Sequence, residues 1–186
     1  MPRPASFVDL AQEPAATYDF ELRKVSWRQV TLFRGTDQLA EVKSVLGIGQ
    51  SFEITSDYDL HVGRTTVRQI STGDSMIRWL SIAELLEGQT PVVCIEVARP
   101  EVAPIASDAR LRYRLWSHHA AWALLEPSRR LVLTAHRAWR DAEAKRKMVG
   151  GYRLHAPLTD DDARLIAIAA SLFWPIESAV FDLSTA

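Results

Sequence analysis

Seven arginines in the second half of the chain have the type and spacing to do chemistry. They are Arg110, Arg112 and Arg114 in "RLRYRLW", Arg129 and Arg130 in "EPSRR", and Arg137 and Arg140 beyond. A guanidinium is planar and donates two parallel hydrogen bonds, which suits it to phosphate. Strand alternation sets Arg110, Arg112 and Arg114 in a row on one face, with Leu111, Tyr113 and Leu115 on the other. Residues 110–153 hold 11 Lys/Arg against three acids, Glu126, Asp141 and Glu143, whereas the rest of the chain holds 11 against 20. The net charge of −1 therefore hides a local basic excess and gives no general affinity for nucleic acid. Two accounts fit that excess: solvated strand and turn positions, or a surface that meets phosphate in a lipid headgroup or a nucleic acid. Trp116, Trp122 and Trp139 interleave with the charges, as core residues or as headgroup or base contacts.

Other motifs carry less. His118 and His119 are adjacent, so in a strand they face opposite sides and do not share an ion; no Cys/His/Asp set stands near them at ligand spacing. Asp57 and Asp59 in "DYD" share a strand face, as paired carboxylates do in acid–base work, but two solvent-facing acids explain them equally simply. "GIGQSF" opens like a dinucleotide loop, yet Phe52 stands where a third glycine should fall, so it reads as a turn. No nucleophile elbow, P-loop or H-E-x-x-H is present. The expectation is no catalytic set, no metal site and no cofactor.

Length and composition bound the architecture. At 186 residues and 47% hydrophobic, the chain suits one packed domain better than two very small ones. The single Cys94 excludes an intrachain disulfide and points to a reducing, cytoplasmic setting. Residues 1–16, with Pro2, Pro4 and Pro14 and no continuous apolar run, read as an extended arm, and residues 17–186 as the domain.

Most of that domain reads as short strands. "YDFEL" alternates Tyr18, Phe20 and Leu22 with acids, and "VSWRQVTLF" turns through "RGTDQ" into "LAEVKSVL". "SFEI", "YDLHV", "TTVRQI" and "MIRWL" continue the pattern, and the apolar "PVVCIEVA" suits a strand covered on both faces. "AAWALLEPSRRLVLTAH" reads as a hairpin with its turn at residues 126–129. Leu32 to Leu39 and Leu124 to Leu131 are each seven apart across a turn, a faint echo of two related halves. Two segments differ. "SIAELLEG" has Ser81 three residues before Glu84, a capping-box pattern that predicts a short helix. "AWRDAEAKRKM" has helix-forming composition without an apolar face.

The C-terminal "LTDDDARLIAIAASLFWPI" is a helix capped by Thr159, charged favourably by Asp160, Asp161 and Asp162 in its first turn, and stopped by Pro175. It is apolar all round except for Arg164 and Ser171 and so must be buried on every side. From residue 159 to 174 it spans about 22 Å at about 1.5 Å per residue, short of the roughly 30 Å bilayer core. A transmembrane segment is excluded on that length, and a helix enclosed by strands implies a closed or nearly closed antiparallel barrel.

Together "LTDDDARLIAIAASLFW" and "WALLEPSRRLVLTAH" resemble the tubby C-terminal-like superfamily, in its smaller LURP-one-related and scramblase-like branch. The resemblance implies an α+β, mainly β fold of about 12 strands around the helix at residues 160–174. It makes "SIAELLEG" and "RPEVAPIASDA" insertions or connections. Tubby-like proteins bind phosphoinositides, so it also implies a non-enzymatic binding module, peripheral at an anionic membrane surface or holding a phosphorylated small molecule. No matching motif carries specific residues over, and the seven arginines come from the charge pattern alone. The alternatives are a small enzyme using a carboxylate or histidine at the barrel mouth, or a nucleic-acid binder whose affinity falls steeply with salt.

Overall fold

A computed structural model describes residues 18–26, 29–45, 51–72, 76–97, 108–118, 121–128, 130–137 and 150–172. The proposed arm at residues 1–16, "AWRDAEAKRKM" and most of "RPEVAPIASDA" lie outside them. Among the described residues eleven strands form one sheet, in the order β4-β3-β2-β1-β11-β10-β9-β8-β7-β6-β5. They are β1 (Phe20–Ser26), β2 (Gln29–Arg34), β3 (Asp37–Val45), β4 (Ser51–Ser56), β5 (Leu60–Thr72), β6 (Met76–Glu87), β7 (Thr90–Val97), β8 (Leu111–His118), β9 (Ala121–Leu125), β10 (Leu131–Arg137) and β11 (Gly150–Leu154). The edge strands β4 and β5 are consecutive and joined at residues 57–59, so the sheet curls into a nearly closed barrel. Helix α1 (Asp160–Ser171) fills it.

Backbone chemistry explains the tight turns. Gly35 and Gly88 each take φ 59°, a left-handed conformation that only glycine adopts without strain. Each follows a rung of its hairpin, Arg34 opposite Asp37 and Glu87 opposite Thr90. The expected β2–β3 hairpin is therefore present, and so is the β9–β10 hairpin, with Leu124 opposite Leu133. Both hairpins shift register near the turn, at Leu32/Phe33 and at Leu131/Leu133.

Two expectations need correction. "SIAELLEG" is no helix: Ser81 to Glu87 belong to β6, hydrogen-bonded to β5 on one side and β7 on the other. A capping box offers two local hydrogen bonds, whereas this segment gains a ladder on both edges and buries Leu85 completely. The barrel is also not wholly antiparallel, because β7 and β8 run parallel, with Val93 opposite Leu111 and Ile95 opposite Tyr113. Parallel neighbours need a long crossover, and residues 98–110 supply that length.

Alternation along the strands builds the interior. Phe20, Leu22, Leu32, Leu85, Ile95, Leu124, Leu133 and Tyr152 are all fully enclosed around α1. The helix packs against β2, β3, β6 and β7, so it touches both ends of the strand order. Thr159 caps it, accepting a 3.1 Å hydrogen bond from the Asp162 amide. Residues 165–172 are all buried, and the Ser171 hydroxyl donates to the Ala167 carbonyl at 2.8 Å. The helix ends at Ser171, three residues before the expected limit. Among the described residues no helix is long and apolar enough to cross a membrane.

At the junction of β1 and β11, Gly151 lies opposite Glu21. A Cβ there would stand 2.4 Å from Tyr18 Cγ and 2.6 Å from the Phe20 carbonyl oxygen. Backbone cannot retreat from a methyl group without breaking rungs of the ladder. Gly151→Ala is expected to destabilise the protein by about 1–3 kcal/mol, seen as a lowered midpoint in urea unfolding.

Candidate anion-binding site

The strand β8 was expected to present arginines on one face and apolar residues on the other, and it does. Tyr113 and Leu115 are buried in the core with Leu111 packed against it, while Arg112 and Arg114 are half-buried on the opposite face. Because β7 runs parallel, Arg112 stands opposite Cys94 and Arg114 opposite Glu96. Cys94 and Glu96, on the outward side of β7, are 1% and 4% exposed, so this strand is covered on both faces as expected. Cys94 is a buried free thiol.

A carboxylate buried to that degree needs a partner. Arg112 supplies it, donating from Nη2 to Glu96 Oε1 at 2.7 Å, and this bond holds the Arg112 guanidinium above its already high ordinary value. Arg114 lies two rungs further along, on the same face, with its guanidinium paired to no described carboxylate.

The other end of β8 meets the helix. Arg110 Nη2 lies 2.9 Å from Asp162 Oδ1 and 3.8 Å from Asp161 Oδ2. Arg34, at the end of β2, pairs with Asp160, which also holds Arg164 Nε at 2.8 Å. Tyr58, between β4 and β5, donates its hydroxyl to Asp161 at 3.0 Å. The first turn of α1 is therefore tied to three separated points on the barrel rim.

Arg130 belongs to this rim as well. Its Nη2 and Nε bind the two oxygens of Glu126 at 2.6 and 3.0 Å, and the Ser128 hydroxyl adds a 3.0 Å bond. Burial, with Glu126 and Asp162 nearby, pushes the Tyr113 hydroxyl up to about 12, so both the Arg130 and Arg110 ion pairs flank it. Four arginines at this rim (34, 110, 130 and 164) face four carboxylates (126, 160, 161 and 162), and their charges balance.

The seven arginines thus fall into groups. Arg110 and Arg130 come together at the rim, and Arg112 and Arg114 share the outer wall of β7–β8. Arg137 pairs opposite Gly150 in the β10–β11 ladder, and its side chain lies outside the described residues, as do Arg129, Arg140 and the three tryptophans. Sequence reasoning missed Glu96 and Arg34. The sixth residue of "PVVCIEVA" could have flagged Glu96, because an acid inside a doubly covered strand requires a cation on its neighbour.

Asp57 and Asp59, expected to share a strand face, lie instead in the bend between β4 and β5, where Asp59 meets His61 with Nε2 3.2 Å from Oδ1. The side chains of Asp59 and His61 are 77% and 59% exposed, so water screens the pair. Among the described residues no group of three or more His, Cys, Asp or Glu converges as metal ligands would.

Comparison with protein-family models, with curated proteins and with solved structures finds no match.

Two outcomes follow from these pairs. Arg112→Ala leaves Glu96 buried without its cation, and should cost about 2–3 kcal/mol; that lies below the 3–5 of a wholly buried pair because Arg112 is one-third exposed. Replacing Glu96 by Leu in the same chain should recover most of the loss in denaturant titration. The Arg130 hydrogen bonds hold the Glu126 carboxyl below its ordinary 4.5. A carboxyl lowered by folding stabilises the fold above pH 4.5 and loses that contribution as pH falls through its folded value. Glu126→Gln should therefore lose less stability than the parent protein on acidification below pH 4.5, measured by urea midpoints across the acid range.

Proposed function

We propose that this barrel is a non-enzymatic binding module for a phosphate-bearing anion, either a lipid headgroup or a phosphorylated small molecule. The ligand is taken on the outer wall of β7–β8, with Arg114 as its principal contact. The observation that carries this reading is the contrast along β8. Arg110 and Arg112 are committed to Asp161/Asp162 and Glu96, while the half-buried residue Arg114 has no carboxylate of its own among the described residues. A cation beside an already neutralised carboxylate keeps its charge available to an incoming anion.

The helix supports the same reading from inside. Because α1 occupies the barrel interior, a ligand is met on the wall or rim. The resemblance to tubby-like and LURP-one-related proteins, a family with this architecture that binds phosphoinositides, agrees with it. A cytoplasmic protein peripheral to a membrane is the setting we propose.

The test is co-sedimentation with phosphatidylcholine vesicles, with and without phosphatidylinositol phosphates. The full chain should bind only the latter. Arg114→Ala should weaken binding by about ten- to a hundredfold, the worth of one charge-assisted hydrogen bond. Arg114→Lys should restore only part of it, because the ammonium lacks the planar fork. Equal binding by parent and Arg114→Ala proteins would overturn the proposal.

A further inference from the structure

Resting on that reading of β8, we infer that the acidic cap of α1 is an internal competitor for the anion: Asp161 and Asp162 hold Arg110 back from the ligand. Two carboxylates converge on the one guanidinium, at 3.8 and 2.9 Å, much as the oxygens of a phosphate dianion would. Arg110 and Arg114 are four residues apart, about 13 Å along an extended strand. One phosphate would have to draw both side chains in along the strand to be shared. An anion carrying several phosphates, or a surface that displays many, can reach both.

The Arg110 contact can be exchanged. Arg110, Asp161 and Asp162 keep 56%, 58% and 24% of their side-chain exposure, so the pair is hydrated and screened. An exposed pair of this kind is weak, and a phosphate oxygen can displace it without breaking the core. The cap does not depend on Arg110 alone, since Thr159 still accepts from the Asp162 amide and Asp161 still accepts from Tyr58. Exchange frees Arg110 for a second contact and leaves the helix seated. The proposed ligand is accordingly a multiply phosphorylated one, and its second contact is gated by the helix cap.

The test compares the parent chain with Asp161→Asn/Asp162→Asn, with Arg110→Ala and with the triple variant. The probes are phosphatidylinositol-phosphate vesicles and a soluble inositol polyphosphate. Circular dichroism and thermal melting confirm that each variant folds. The double asparagine variant should bind about threefold to fivefold more tightly, the scale of releasing one exposed ion pair, and Arg110→Ala should cancel that gain. A gain that survives Arg110→Ala reflects net charge alone and overturns the inference, as does no gain. Should the asparagine variant not fold, Arg110→Ala in the parent background decides: a loss smaller than that of Arg114→Ala supports a second contact held back by the cap, and no loss, or one as large, overturns it. Failure of the underlying reading looks different, because then Arg114→Ala has no effect or the parent and all variants leave both probes unbound. Vesicle binding without soluble binding identifies a lipid surface as the source of phosphate, and equal binding a free small molecule.

Discussion

A helix without a polar side cannot rest on the surface of anything. Residues 165–172 are buried together, and between Arg164 and Ser171 no side chain offers water a foothold. The only way for one short chain to surround such a helix is to curl a sheet about it, because a flat sheet covers one side alone. The topology meets that demand. The strand order begins at β4 and ends at β5, which are neighbours in sequence. The helix contacts β2 and β3 on one arm of that order and β6 and β7 on the other. Apolar burial of α1 therefore gives the two arms a common centre.

Burial settles the middle of the helix but not its start, where amides point outward unsatisfied and the chain is still polar. Thr159 and the three aspartates answer this locally, through the cap and the favourable charge at the positive end of the helix dipole. The same aspartates then reach outward to Arg34, Tyr58 and Arg110. Each tether is exposed and individually weak, yet they arise from β2, the β4–β5 junction and the entry to β8. Position matters more than strength here, for three points around a rim define how the helix is seated.

This arrangement also shows why so much of the fold was legible in the sequence, and why the site was less so. Strand alternation, glycine at a tight turn and a capped apolar run are local signals, and Phe20, Leu22, Gly35 and Thr159 behave as their neighbours in sequence imply. The β6 segment misled because Ser81 and Glu84 are also a local signal, one that loses to a ladder on each side; the "EGQT" that follows resembles "RGTD" and could have marked a hairpin instead. Charge pattern is not local in this sense. The basic excess of residues 110–153 is real along the chain, but Arg110 is answered by residues 161 and 162 and Arg112 by Glu96. Those partners are distant in sequence, so no count over a window could foresee them.

The consequence for function is a change of scale. A long basic stretch suggests a broad positive face, bound through many weak contacts and sensitive to salt. Among the described residues of the rim the paired arginines and carboxylates cancel, and broad electrostatic attraction is not the natural expectation for them. On the proposed reading, discrimination comes from individual guanidinium groups whose neighbours are already neutralised. Glu96 has this effect on the wall. By taking Arg112, it holds one guanidinium in place beside a second, Arg114, whose charge stays uncompensated among the described residues. The buried carboxylate neutralises Arg112, so that on the proposed reading a phosphate would meet the one guanidinium of this wall left uncompensated among the described residues, that of Arg114.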